Sequence, residues 1–274
     1  MGTEREAAGV VASSGRKTQK ANLRFEHGGA VARVELAAPK ANIVDATMMT
    51  ALEQTLDTIE STPGVKVVVL SAEGPHFSFG ASVEEHLPDA IEGTLAKLHA
   101  LLRRMHTLPA PTLAVVQGQC LGGGLEVVLA CDLILAARGA KLACPEIKLG
   151  VFAPAASALL PVRIGAGPAT RLLLTGASWS ADQAMASGLV DRVAPDEELE
   201  ATLQQWLRDD FLPRSAVGLR HAARAARRGR LRALEAELPS LEKTYLEELM
   251  AEPDGVEGVR AFLEKREPKW QEGS

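Results

Sequence analysis

Cysteine is scarce in this chain: Cys120, Cys131 and Cys144 are the three among 274 residues. Their number and irregular spacing exclude a disulfide framework and a CxxC metal site. They read as reduced, intracellular, buried thiols. A long apolar run is missing too. The most apolar stretch, Leu149 to Val162, is broken by Pro154 and falls short of the ~20 residues that cross a bilayer. The N-terminus lacks an apolar signal core, and Glu4 and Glu6 speak against a mitochondrial presequence. Residues 1–20 read as a flexible tail, and the expected location is cytoplasmic, without a membrane partner. A basic surplus is also absent. Lys and Arg number 30 against 35 Asp and Glu, a net charge of −5, so no global attraction to nucleic acid or anionic lipid is expected. The six histidines show no HExxH or paired-ligand spacing, so no metal site is expected. His76, His86 and His99 read as loop or surface residues.

What is present has a globular composition, 46% hydrophobic and 24% charged. The first half alternates strands and helices. Leu23–Glu26 and Ala30–Leu36 read as strands joined at His27-Gly28-Gly29. Thr47–Glu60 carries Met48, Leu52, Leu56 and Ile59 at helical spacing. Lys66–Ser71 and Thr112–Gln117 are short apolar runs typical of buried strands. Between them Ile91–Thr107 is amphipathic. Leu125–Ala130 reads as a further helix, Leu133–Ala137 as a strand and Leu142–Cys144 as a short one. From about residue 154 the pattern turns helical, with candidates at 154–163, 168–175, 181–187, 197–210, 215–228, 231–250 and 255–265. Only Leu189–Val193 reads as a strand there. The chain is therefore expected to be α/β, one core with a helical C-terminal layer.

The segment Gln117 to Glu126 concentrates the chemistry. Gly122, Gly123 and Gly124 follow a buried strand and open a helix. Such a turn bares backbone N–H groups beside a positive helix end, which suits a phosphate or a developing oxyanion. A tight turn needed for packing explains the glycines equally well. The pattern is neither GxxxxGK[ST] nor GxGxxG. Glu126 lies in the first turn of that helix. Twenty residues on, Glu146 sits between apolar neighbours after Pro145. Two acids in apolar settings suggest a pair that holds one water and titrates as a unit, although spacing alone does not bring them together. In His76 to Glu85, Gly80 allows close backbone approach, and the Ala81 N–H can point at a ligand. Taken singly, that segment is an ordinary loop. Arg220, Arg224 and Arg227 fall on one helical face. A solvated face is the first reading, binding of a ligand's phosphates the second and RNA binding the third.

Together these segments resemble the crotonase, or enoyl-CoA hydratase/isomerase, superfamily over residues 21–266. The motifs are Pro39-Lys40-Ala41-Asn42, Phe77-Ser78-Phe79-Gly80-Ala81, Gly118 through Glu126, Pro145 through Gly150, Leu174-Thr175-Gly176 and Ala184 through Val190. The resemblance implies a spiral of ββα units over 21–212 and a C-terminal helical trimerisation region over 213–274. It implies a homotrimer or a dimer of trimers, an acyl-CoA substrate, and no cofactor beyond the coenzyme A that the substrate carries. The Ala81 and Gly123 N–H groups would form the oxyanion hole. Glu126 and Glu146 would be catalytic, with Glu126 as the water-activating base and Glu146 as the proton donor to carbon. Lys40, Ala41, Phe79, Gly80, Gly122 and Phe152 would line the substrate. Retention of both acids favours adding or removing water over isomerase or other lyase chemistry. Two features depart from ordinary hydratases: Ser82 replaces an aspartate, and Val151 to Pro161 replaces a glycine-rich stretch. With Ser78 to His86 and Gln119 to Leu121, they are similar to the cyclohexa-1,5-diene-1-carbonyl-CoA hydratases. A non-catalytic RNA-binding or scaffolding homologue is the alternative of another class, with the arginine face as its working surface.

Overall fold

β1 (Ala21–Glu26) and β2 (Val31–Leu36) pair antiparallel across a tight turn at His27–Gly29. The structure is a computed structural model and describes residues 20–38 and 40–271. The tail expected over 1–20 thus lies outside the described residues except for Lys20, and so does Pro39. After β2 come α1 (Ala46–Glu60), β3 (Val67–Ala72), α2 (Ile91–Thr107), β4 (Thr112–Val116), β5 (Gln119–Leu121), α3 (Gly123–Leu129), β6 (Leu133–Ala137) and β7 (Lys141–Ala143). Asp45 caps α1 by accepting the Met48 N–H at 2.8 Å.

The second half contains α4 (Pro154–Ile164), α5 (Ala166–Thr175), β8 (Trp179–Ser180), α6 (Ala181–Ala186), β9 (Arg192–Ala194), α7 (Leu199–Trp206), α8 (Ala216–Lys243) and α9 (Pro253–Leu263). One sheet runs β1-β2-β3-β4-β6-β9, parallel from β2 onward, and a smaller sheet runs β5-β7-β8. Successive turns of the chain place one strand in each sheet before a helix: β4, β5, α3, then β6, β7 and the turns that follow. This is the ββα spiral. The segment after β3 joins the small sheet by a bridge from Ser78 to Cys120.

The inner strands β3, β4 and β6 of the large sheet are buried on both faces and are accordingly mostly apolar. Val67, Val69, Leu113, Val115 and Leu135 pack toward Leu203, Trp206 and Phe211 on one side. The alternate residues Val68, Leu70, Ala114, Val116 and Ile134 face the main core.

Three expectations change. The helices expected over 215–228 and 231–250 are one helix, α8. Gly229 does not break it, because Arg227 and Arg230 on either side both bind Asp132. That anchorage outweighs the ~1 kcal/mol a helical glycine costs. The strand expected at Leu189–Val193 is β9, which begins at Arg192 where pairing with β6 begins. The glycine-rich stretch read as a turn contains β5, held by β7.

Candidate active site

β5 delivers the backbone to Gly122, where φ of 48° turns it into α3. A Cβ at Gly122 would stand 2.4 Å from Glu146 Oε1, so only glycine admits that carboxyl group here. Glu126 lies in the first turn of α3 and is 4% exposed. Its Oε1 accepts the Ala156 N–H at 2.9 Å. That amide belongs to the first turn of α4, which Pro154 opens. A helix N-terminus therefore faces this carboxylate. Glu146 sits in the tight turn Pro145–Leu149 after β7 and is 9% exposed. Its Oε2 has no hydrogen-bond partner among the described residues.

Both acids are pushed toward neutrality. Burial raises the Glu126 carboxyl to about 7, against the pull of the Ala156 and Ala155 amides. Burial and then the charge of Glu126 raise Glu146 to about 8. Two buried carboxyls that feel one another cannot both ionise freely, so near pH 7 the pair holds roughly one proton.

The second half of the site is backbone. Residues 77–81 run beside β5: Ser78 N–H donates to Gln119 O at 3.0 Å, and Leu121 N–H donates to Ser78 O at 3.0 Å. The buried Ser78 hydroxyl donates to Asn42 O at 2.8 Å and accepts the Gly80 N–H at 3.0 Å, which pins the turn. This brings Ala81 against Gly123: a Cβ on Gly123 would lie 3.1 Å from Ala81 N. Neither the Ala81 nor the Gly123 N–H donates to an acceptor among the described residues. Gly123 is the first residue of α3, where the N–H has no intrahelical acceptor. Two free amides thus flank one point beside the two acids.

Of the ten residues expected in the site, Gly80, Ala81, Gly122, Gly123, Glu126 and Glu146 come together in this way. Ala41 accepts the Phe79 N–H at 2.9 Å and so ties its loop to the oxyanion segment. Phe79 is 41% exposed, edge-on to His76 at 4.9 Å. Phe152 follows the Glu146 turn and packs on Tyr245 at 5.3 Å. Lys40 is exposed and makes no hydrogen bond or ion pair among the described residues.

Two surface expectations are corrected. Arg227 is 2% exposed and belongs to an internal ion cluster, because its guanidinium reaches Asp132 through the helix face that packs inward. Arg220 and Arg224 remain exposed and line a groove with His106 and Arg228. His99 is fully buried and pairs with Glu242 of α8 at 2.5 Å. Sequence reasoning also missed Ser78, the Ala156 amide and Tyr245. Pro154 marked the helix start that supplies the amide; nothing in the spacing marks the other two. Among the described residues no cluster of His, Cys, Asp and Glu could hold a metal ion, and no helix is long and apolar enough to cross a membrane.

Comparison with known proteins follows the same line. The profile of the enoyl-CoA hydratase/isomerase family matches residues 26–273. A cyclohexa-1,5-dienecarbonyl-CoA hydratase of Thauera aromatica is 49% identical over 247 residues, covering 90% of this chain and 95% of the relative. A probable enoyl-CoA hydratase of Bacillus subtilis is 32% identical, covering 88% and 95%. The crystal structure of an enoyl-CoA hydratase from Mycobacterium avium superposes with a TM-score of 0.83 at 29% identity, covering 93% of this chain and all of that one. Two free amides at a glycine turn, two raised carboxyls and matches across nearly the whole length agree: the chain belongs to the enoyl-CoA hydratase/isomerase family.

Proposed function

We propose that this protein adds water to an α,β-unsaturated acyl-CoA thioester, and that the acyl group is a cyclic diene. One observation carries the reaction type: two buried carboxyls with pKa values of about 7 and about 8 stand beside paired free amides. A proton acceptor and a proton donor then coexist at neutral pH. Glu126, the more acidic and the one held by the Ala156 amide, takes a proton from water as the oxygen bonds to the β-carbon. The electron pair moves to the thioester carbonyl, whose developing charge meets the Ala81 and Gly123 N–H groups. Each such donor contributes about 3–4 kcal/mol at the transition state. Glu146 gives its proton to carbon. In a simple enoyl thioester that is the α-carbon; in a ring diene it is the far end of the conjugated system, a 1,4-addition. Proton exchange between the two acids restores the starting state.

The cyclic substrate rests on the Thauera relative and on the apolar wall after Glu146, where Val151 and Phe152 join Tyr245. Coenzyme A arrives as part of the substrate, and the chemistry requires no metal or redox group. We also read the protein as a cytoplasmic homotrimer or dimer of trimers. Exposed apolar side chains at Val162, Leu174 and Met185 support an assembly; light scattering that gives a monomer mass would end that reading.

The test is a spectrophotometric hydration assay of cyclohexa-1,5-diene-1-carbonyl-CoA beside crotonyl-CoA, with wild type and Glu146→Gln. Faster turnover of the diene, abolished in the variant, is the expected result. Preference for crotonyl-CoA would remove the cyclic substrate, and turnover of neither would remove the hydratase.

A further inference from the structure

Tyr245 is the single tyrosine of the chain and is 1% exposed. Its hydroxyl has no hydrogen-bond partner among the described residues. A phenol buried in this way loses its hydration without compensation from the described residues, a cost that a bound oxygen would offset. Its ring lies against Phe152 at 5.3 Å, two residues past the glycine that closes the Glu146 turn. It shares an apolar cluster with Val151, Ile91 and Leu95. Its backbone lies in a π-helical turn, Thr244–Glu248, that extends α8, and such turns recur at functional sites. The phenol also feels both acids: after burial, the charges of Glu146 and then Glu126 push its pKa up, so it stays a protonated donor. Glu146 Oε2 is the second buried polar atom here without a partner. The two are complementary, an O–H donor and a carboxyl oxygen, and one small hydroxylic group that reached each would satisfy both.

We propose that the Tyr245 hydroxyl is a third polar group of the reaction site and donates a hydrogen bond to the oxygen that hydration adds and dehydration removes. The inference rests on the hydratase reading and deepens it. Ala81 and Gly123 hold the carbonyl end of the substrate. Tyr245 holds the water, and afterwards the product hydroxyl, against the acid pair. It does not exchange protons with carbon. Its contribution is orientation, realised only when an oxygen occupies that place.

The experiment compares wild type with Tyr245→Phe on the diene thioester. It also measures binding of 6-hydroxycyclohex-1-ene-1-carbonyl-CoA, the 1,4-addition product, and of cyclohex-1-ene-1-carbonyl-CoA, which lacks only the hydroxyl. The variant should lose about tenfold or more in kcat with KM within about threefold. It should lose about tenfold in affinity for the hydroxylated thioester and little for the other. Its melting temperature should not fall, because the removed hydroxyl bonds to nothing among the described residues. Equal losses for the two thioesters, activity within about twofold of wild type, or a lower melting temperature would each overturn the inference. Should the variant not fold, wild type grown with 3-fluorotyrosine decides. The label reports Tyr245 alone, and its fluorine resonance should move with the hydroxylated thioester and stay with the deoxy one; equal shifts overturn the inference. Wild type that hydrates neither the diene nor crotonyl-CoA removes the parent reading. Active wild type beside an unimpaired Phe variant removes this inference alone.

Discussion

Asp132 and the Glu126–Glu146 pair lie in the same core, yet their surroundings treat a buried carboxyl in opposite ways. Asp132 accepts the Thr112 N–H at 2.8 Å, Arg227 Nε at 2.8 Å and Arg230 Nη2 at 2.5 Å. Arg227 Nη2 also donates to Asp132 Oδ2 at 2.5 Å, and its guanidinium reaches Leu108 O and Ala110 O at 2.6 and 2.8 Å. Burial works against the ionised Asp132, but the Arg227 hydrogen bond and charge, with Thr112 and Arg230, prevail and hold its pKa below the ordinary value. Among the described residues no cation comparable to Arg227 answers Glu126 or Glu146; backbone amides at the start of α4 hold the first, and an oxygen of the second has no partner. A carboxyl surrounded by donors becomes structure. One left short of donors keeps its proton near neutral pH and becomes available for chemistry.

The contrast can be broken from either side. Glu146→Gln should lower hydration about a thousandfold or more and leave the melting temperature within a few degrees, as seen by calorimetry beside the optical assay. A comparable loss of stability would mean that Glu146 is a structural group like Asp132. Arg227→Met should do the reverse. It leaves Asp132 short of its principal cation and should cost about 3–5 kcal/mol of stability, a drop of roughly ten degrees or more in melting temperature. Below that temperature kcat should stay near wild type.

pH sharpens the same comparison, because the two regions have opposite signs. The acids of the pair have folded pKa values of about 7 and about 8, above the ordinary 4.5. The native state therefore binds more protons than the unfolded chain, and their contribution is fully present below about pH 4.5 and is lost as pH rises to about 8. Glu126→Gln with Glu146→Gln should flatten this slope, a difference on the order of 8 kcal/mol between the two ends for the two raised carboxyls together. Asp132 is depressed below 3.8, so its contribution is present above that pH and is lost as pH falls through its folded value. Chemical denaturation at a series of pH values reads both limbs. The rate should peak between about pH 7 and pH 8, its limbs belonging to the pair; a monotonic profile would contradict a shared proton. The smallest effect is expected at the exposed arginines. Arg220→Ala with Arg224→Ala should leave hydration within about twofold, and a larger loss would bring coenzyme A phosphate contacts to that groove.

Much of this was legible along the chain. The apolar runs of β3, β4 and β6 are buried on both faces and are therefore continuous in sequence. The amphipathic period of α2 matches its observed bounds, because one stripe faces the core and the rest faces water. Gly122 through Glu126 announced a strand-turn-helix with bare amides. Arg220 and Arg224 of α8 are exposed as expected, but Arg227 was misread, because helical spacing tells which residues share a face and not which of them a neighbouring segment covers. His99 was misread for the same reason. The break assigned near Gly229 followed local propensity, which the Asp132 cluster overrides.

The sequence by itself determined the kinds of groups present and the order in which they come: two acids, a glycine turn, a loop with Gly80 and Ala81, and a helical C-terminal third. These follow from local periodicity and from the chemistry of single residues. Only the tertiary structure decided that burial raises Glu126 and Glu146 together, that Ala81 and Gly123 lie side by side, and that Tyr245, about a hundred residues past Glu146, is buried against Phe152. Those facts depend on desolvation and on contacts between distant segments. A pKa of about 7 or about 8 belongs to the space around a carboxyl, and that space exists only once the ββα spiral has closed.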